Sequence, residues 1–329
     1  GTLLTGFLLA PLFDIDLVLR LTAAAVAVIG LAGLADARRG TIAGAVLAAI
    51  LLAPPAPEPA RPGETVFAGD TPFQRVEVVT RDGERWLYLN GCVHTHVTLE
   101  PPYRADTSYI AGFEMLPSFR PDARSLLVVG LGGGALLPLF DPEEYETTVV
   151  EIDPVVVRVA RDHFRTLPEG IEVHIGDARP YLRRAGRGRD GRKWDLVALD
   201  VCDSDRMPEH LVTLEFFREL KQSIAPGGAM AMNSIGPTGG RSLAAFGATL
   251  REVFAHVTGY AVNPGGEITN VIWYASDEPL ELSWAFYSTW EDAVYRTESG
   301  DILTDRWNPV NHWNAPVARR IRMTHDERY

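Results

Sequence analysis

The stretch Ser125–Phe140, SLLVVGLGGGALLPLF, places four glycines in the five positions from Gly130 to Gly134, between two apolar flanks. The first flank reads as a short buried strand, and the glycine turn follows it directly. Glycine permits positive φ there and lets a ligand touch the main chain, while the first N–H groups of the helix expected next would face that ligand. The same pattern repeats along the chain. ETTVVEID, IEVHIGD, WDLVALD and GGAMAMNS read as further buried strands, with PVVVRVARDHF and TLEFFRELKQSI as helices between them. This alternation predicts a parallel sheet with helices on both faces, a doubly wound Rossmann-like α/β fold. HVTGYAV and TNVIWYA extend the sheet as a late hairpin.

In such sheets ligands bind at the carboxyl ends of the strands, where the chain places a set of polar residues. Gly130, Gly132 and Gly134 form the turn after the first strand. The second strand ends in Glu151, 17 residues after Gly134, where an acid can bind both hydroxyls of a ribose. The third runs into Gly176-Asp177-Ala178, where a carboxylate can accept from an adenine amino group. A dinucleotide is the competing ligand, since Ala135 is a permitted replacement in Gly-x-Gly-x-x-Gly. Gly-Asp-Ala and the acids after the fourth strand favour an S-adenosyl ligand, and with it a methyltransferase-type sheet. That fourth strand ends in LDVCDSD. Asp200 falls at its tip, with Asp203 and Asp205 in the loop beyond. Three carboxylates at one mouth repel each other unless a cation sits there, and a metal or a polyamine would serve.

The rest of the chain sets the context. Residues 1–53 read as membrane helices: Leu17–Ala35 is 19 residues long with one charge, Arg20, which matches one crossing of about 20 residues. Thr2–Phe13 looks like the tail of another apolar segment, and a start at Gly1 rather than Met reads as a fragment. Thr41–Ala53 is too short to span and is expected to be re-entrant or interfacial, leaving the following domain cytoplasmic beside Arg38 and Arg39. Residues 54–63 hold five prolines and read as a stiff linker. Residues 64–100 predict a small antiparallel β domain, with a hairpin at Arg81–Glu84. Residues 101–315 form the Rossmann-like domain and 316–329 a tail.

A formal net charge of -12 argues against a nucleic-acid binder and suits a cationic substrate. Cys92 and Cys202, the only cysteines, give neither a disulfide framework nor a zinc pattern and read as small buried hydrophobes. His94 and His96 would share one face of a strand, but without an acid or Cys to complete a metal site they read as surface or substrate-facing histidines. The basic run Arg183–Lys193 reads as a solvated loop, or as a segment lying on anionic lipid.

Together these motifs resemble the spermidine synthase (polyamine aminopropyltransferase) family, and in particular its membrane-fused bacterial members. The resemblance covers roughly residues 64–312: the N-terminal β unit, VVGLGGGAL, VVEIDP, GDAR, LDVCDSD with MPEHLVTLEFF, and ILTDRWNPV. It implies decarboxylated S-adenosylmethionine as a co-substrate, no permanently bound cofactor or metal, and a small amine such as putrescine as acceptor. It further implies ribose binding by Glu151, adenine binding by Asp177 and proton acceptance by Asp200. Gln74, Tyr109 and Asp203 would line the amine site, and a homodimer is compatible with the resemblance. The departures fall mostly on the amine side. Gly133 stands where the family's turn carries an Asp, Tyr109-Ile110-Ala111 replaces Tyr-His/Gln-Glu, and Ser204 replaces a Pro. The expectation is therefore a membrane-tethered aminopropyltransferase of polyamine biosynthesis. An S-adenosylmethionine methyltransferase on the same scaffold, favoured by Gly133, and a non-catalytic adenosyl-sensing module are the alternatives.

Overall fold

A computed structural model describes residues 20–25, 61–100, 109–186, 191–201, 206–280, 293–297 and 299–315. The chain divides into two units, Gly1–Arg61 with Gly69–Gln74, and Pro62–Ala68 with Arg75–Tyr329. In the first, residues 20–25 are helical. Among the described residues no helix is long and apolar enough to cross a membrane. The expected membrane helices, the Pro-rich linker and the tail fall largely or wholly outside the described residues.

A four-stranded sheet comes first, β1 (Glu64–Asp70), β2 (Arg75–Arg81), β3 (Glu84–Leu89) and β4 (Cys92–Thr98), in sequence order; all of it but Gly69 and Asp70 belongs to the second unit. Two tight turns fix its register. Asp82-Gly83 and Asn90-Gly91 all have positive φ, the type I′ geometry that matches strand twist and that Asp-Gly and Asn-Gly adopt most readily. The histidines depart from expectation. A register shift between Leu87 and Tyr88 leaves His94 without a Cα partner on β3, so the simple two-residue alternation of His94 and His96 is broken. His96 is buried, stacked on Trp86 with ring centroids 4.2 Å apart, rather than lying at the surface. Cys92 is buried, as its reading as a small hydrophobe requires.

The large sheet contains β5 (Ser125–Val129), β6 (Glu146–Glu151), β7 (Glu172–Ile175), β8 (Trp194–Leu199), β9 (Ile224–Pro237), β10 (His256–Ala261), β11 (Ile268–Ser276) and β12 (Val294–Tyr295). Its order is β12-β10-β11-β9-β8-β5-β6-β7. Strands β5 to β9 run parallel, and β10 and β11 close the far side as the antiparallel hairpin expected from the sequence. The alternation of β5 divides the core. Leu126 and Val128 face a cluster that includes Val156, Val157 and Val159 of α1 (Pro154–Val159) together with Val76, Leu87 and Val97 of the small sheet. Leu127 and Val129 face Leu182 of α2 (Ala178–Ala185), Phe216, Phe217 and Leu220 of α3 (Leu214–Lys221), and Leu243 and Phe246 of α4 (Arg241–Arg251). The small sheet and α1 thus share one face of the large sheet, and the other three helices cover the opposite face.

One expected helix is missing. The glycine turn leads into a single 3-10 turn, Leu137–Leu139, not an α-helix. Pro138 disfavours helical geometry at Leu137 before it, and Pro142 follows four residues later, so the apolar run has no room for a second turn. The described residues of the basic run, 183–186 and 191–193, form surface ion pairs and hydrogen bonds. Arg183 pairs with Glu219 at 2.8 Å, Arg192 pairs with Glu146 and Glu172, and Lys193 donates to the Gln222 carbonyl.

Candidate functional site

Strand order reverses between β5 and β8, because β6 and β7 are added on one side of β5 and β8 on the other. The carboxyl ends of these two strands are therefore neighbours, with no crossover covering the gap between them. Asp200 donates its backbone N–H to Val129 at 2.9 Å, and Gly130 donates to Val150 at 2.9 Å. Gly130 has φ +87, and a Cβ built on it would lie 2.1 Å from the Asp200 carbonyl oxygen. No side chain fits there, so glycine is what lets the first turn lie against the tip of β8.

Asp200 is half-buried, and both of its oxygens accept hydrogen bonds. The Tyr109 hydroxyl donates to Oδ2 at 3.2 Å, and Nδ2 of Asn233, on β9, donates to Oδ1 at 2.9 Å. Asn233 in turn accepts from Nδ2 of Asn270, on β11, at 2.9 Å. Burial pushes the Asp200 carboxyl above its ordinary value, and the Asn233 and Tyr109 hydrogen bonds pull against that rise. The sequence reading brought Tyr109 and Asp200 to one site, and the fold places them in contact. It missed Asn233 and Asn270; the polar residue that interrupts the apolar run GGAMAMNS was the available signal for the first.

Glu151, at the end of β6, is 7% exposed. Its Oε2 accepts from the Leu131 N–H at 2.8 Å and its Oε1 from the Asp153 N–H at 2.9 Å. Burial raises this carboxyl, the two backbone donors oppose the rise, and the neighbouring Asp153 charge adds to it. Glu151 therefore braces the glycine turn from one side. Gly133 is braced from the other: its N–H donates to Thr95 Oγ1 of β4 at 3.1 Å, and its carbonyl accepts from the Thr166 hydroxyl. A Cβ at Gly133 would stand 2.7 Å from Thr95 Cγ2. Gly132 and Gly134 complete the turn with positive φ.

Asp177 is the N-cap of α2, its Oδ1 accepting from the Arg179 N–H at 2.8 Å, while Oδ2 lies 3.0 Å from His210 Nε2. Ala178 is the first residue of that helix. Arg179, 6% exposed, was not foreseen. It grips Glu219 and Asp305 together, with Asp305 at 2.7 Å through both terminal nitrogens, and so ties ILTDRWNPV to α2 and α3. Gln74 lies in the first unit, in a turn where its N–H donates to Thr71 Oγ1 at 3.0 Å. Asp203 and Asp205 lie outside the described residues. Among the described residues no group of three or more His, Cys, Asp or Glu could hold a metal ion.

The strand order, the late antiparallel hairpin and the glycine turn define the Rossmann-like α/β class that spermidine synthases and S-adenosylmethionine-dependent methyltransferases share. Residues 105–265 match the spermine/spermidine synthase domain. The chain is 41% identical over 121 residues to a polyamine aminopropyltransferase of Vibrio vulnificus, covering 35% of this chain and 39% of that one. It is 34% identical over 136 residues to an N-terminal histidine N-methyltransferase of Emericella nidulans, covering 41% of this chain and 24% of that one. The structure of a probable spermidine synthase from Corynebacterium glutamicum has the same fold, with a TM-score of 0.57 and 20% identity over 68% of this chain and 82% of that one. Residues 105–265 thus resemble the spermine/spermidine synthase domain, and the polyamine aminopropyltransferases among the similar proteins are transferases. The matches span less than half the length of either curated relative.

Proposed function

We propose that the chain transfers an aminopropyl group from decarboxylated S-adenosylmethionine to a small, putrescine-like amine. The carrying observation is Asp200: a half-buried carboxylate at the tip of β8, against the glycine turn, oriented by Tyr109 and Asn233. A free alkyl amine has a pKa of about 10 and arrives protonated, without a lone pair to attack. In this reading Asp200 takes that proton as the nitrogen bonds to the aminopropyl carbon beside the sulfonium. The carbon–sulfur bond breaks, its electron pair stays on sulfur, and neutral methylthioadenosine leaves. Glu151 and Asp177 would hold the nucleoside, and Asp203 and Gln74 remain assigned to the amine side. The apolar Leu17–Ala35 segment supports a membrane tether with the domain on the cytoplasmic side.

One observation favours a second reading. Gly133 is packed on Thr95 and presents no carboxylate, so an intact methionine carboxylate would not be repelled there, and the ligand would be S-adenosylmethionine in a methyl transfer. Incubating the full chain with each co-substrate and a panel of amines separates the two. Methylthioadenosine release that needs both the decarboxylated form and an amine is the expected result. S-adenosylhomocysteine formed from the intact form would establish the second reading instead.

A further inference from the structure

Asn233 and Asn270 are brought together by the register of β9 and β11. Asn233 stands opposite Ile272, and Asn270 stands opposite Ile235. The two asparagines are therefore diagonal neighbours, and side-chain alternation puts them on the same face of the sheet. Asn233 is 6% exposed, so its amide has little water to turn to. The Asn270 backbone is itself fixed, its carbonyl accepting from the Val262 N–H at 2.8 Å across the β10–β11 hairpin.

We propose that Asn270 is a positioning residue for Asp200, acting through Asn233: it fixes which end of the Asn233 amide faces the carboxylate. An amide end can present either N–H donors or an acceptor oxygen. With Asn270 Nδ2 donating to Asn233 Oδ1, the Asn233 NH2 must face Asp200, and it donates to Oδ1. Turned over, the Asn233 oxygen would meet a carboxylate oxygen with no proton between them. The relay thereby stabilises the ionised form of Asp200 and holds Oδ1, while Tyr109 holds Oδ2. Among the described residues, Tyr109 is the titratable side chain hydrogen-bonded to Asp200. Glu151, two strands away, spends its oxygens on the Leu131 and Asp153 amides.

This inference rests on the reading of Asp200 as proton acceptor, and its test uses a readout that does not depend on turnover. In the full chain with 13C-labelled aspartates, Asp200 is titrated by NMR in the wild type, in Asn270→Leu and in Asn270→Asp. Asn270→Leu removes the donor and frees the Asn233 amide, so the Asp200 pKa should rise by about one unit, a tenfold change in proton affinity. Asn270→Asp replaces the donor with an acceptor, draws the Asn233 NH2 away and adds a negative charge, so the rise should be larger. Methylthioadenosine affinity should stay within about twofold in both, since the nucleoside is assigned to other residues. An Asp200 titration that is unchanged, or equal in the two variants, overturns the relay. A titration that moves as expected while turnover and its pH profile stay fixed upholds the relay and removes Asp200 as proton acceptor. If Asn270→Leu fails to fold, the polar and isosteric Asn270→Asp carries the comparison alone, and an unmoved Asp200 there is decisive against it.

Discussion

The Tyr109 hydroxyl donates to Oδ2 of Asp200 at 3.2 Å, joining the turn before the large sheet to the tip of its fourth strand, β8. Tyr109→Phe removes one donor and leaves the burial that raises the Asp200 carboxyl less opposed. A carboxyl whose folded pKa lies above its unfolded one gives stability that is full below the unfolded value and lost as pH rises through the folded one. Tyr109→Phe should push that loss to higher pH, and the acid limb of the turnover profile should move up with it. A hydrogen bond to a charged group contributes about 1.5–3 kcal/mol, so a shift of about one to two units is expected. Thermal melts and initial rates across pH 4–8 read both.

Asp200→Asn tests the base directly. The carboxylate accepts on both oxygens, whereas an amide accepts on one. The Asn233 NH2 can only donate, so the amide oxygen must face it and the new NH2 must face Tyr109, whose hydroxyl can turn to accept. The variant should fold. Turnover should fall by about two to four powers of ten, the range for loss of a general base. Raising pH should restore part of it, because more of the amine arrives deprotonated. Steady-state rates from pH 7 to 10 check this, and a uniform loss across that range would mark Asp200 as structural.

Much of this site was readable because its chemistry sits where strands end. Gly130, Glu151, Asp177 and Asp200 each follow an apolar run, and a polar residue at the end of a buried strand is visible in one dimension. The contact of Asn233 with Asn270 depends on the register of two strands 37 residues apart, which no local pattern encodes. The Thr95–Gly133 contact joins two different sheets, and Arg179 reaches Asp305 across 126 residues. The missing helix after the glycine turn is different. Its signal is local: Pro138 and Pro142 leave the apolar run after the glycines no room for a second turn.

Arg179 anchors the C-terminal segment by charge. Burial works to raise the Glu219 carboxyl, but hydrogen bonds and charge from Arg179 and Arg183 hold it down at about 2. The Arg179 hydrogen bond likewise holds Asp305 below its ordinary value. Depressed carboxyls contribute stability that is present above their unfolded values and lost as pH falls toward the folded ones, here from about pH 4.5 to about 2. Arg179→Met should cost on the order of 2 kcal/mol at neutral pH. That lies below the range for a fully buried pair, because Asp305 is partly exposed and Glu219 keeps Arg183. The variant should also lose less stability than the wild type between pH 4.5 and 2. Denaturant melts at several pH values measure both effects.

Glu151→Gln separates bracing from binding. Glu151 accepts from Leu131 and Asp153 through different oxygens, so a glutamine must set its NH2 against one of those backbone N–H groups. The unpaired donor should cost about 1–3 kcal/mol of stability. Its burial-raised carboxyl makes the wild type less stable as pH climbs through the folded pKa, and the neutral glutamine should remove that slope. These effects follow from bracing alone. If Glu151 also receives ribose hydroxyls, methylthioadenosine affinity should drop by a further ~1–3 kcal/mol, roughly 5- to 150-fold, measured by isothermal titration on folded protein. Asp200→Asn, with the nucleoside end intact, should bind the same ligand normally and serves as the control. A Glu151→Gln protein that is less stable but binds methylthioadenosine as tightly as the wild type would confine Glu151 to the turn and leave the ribose to other residues.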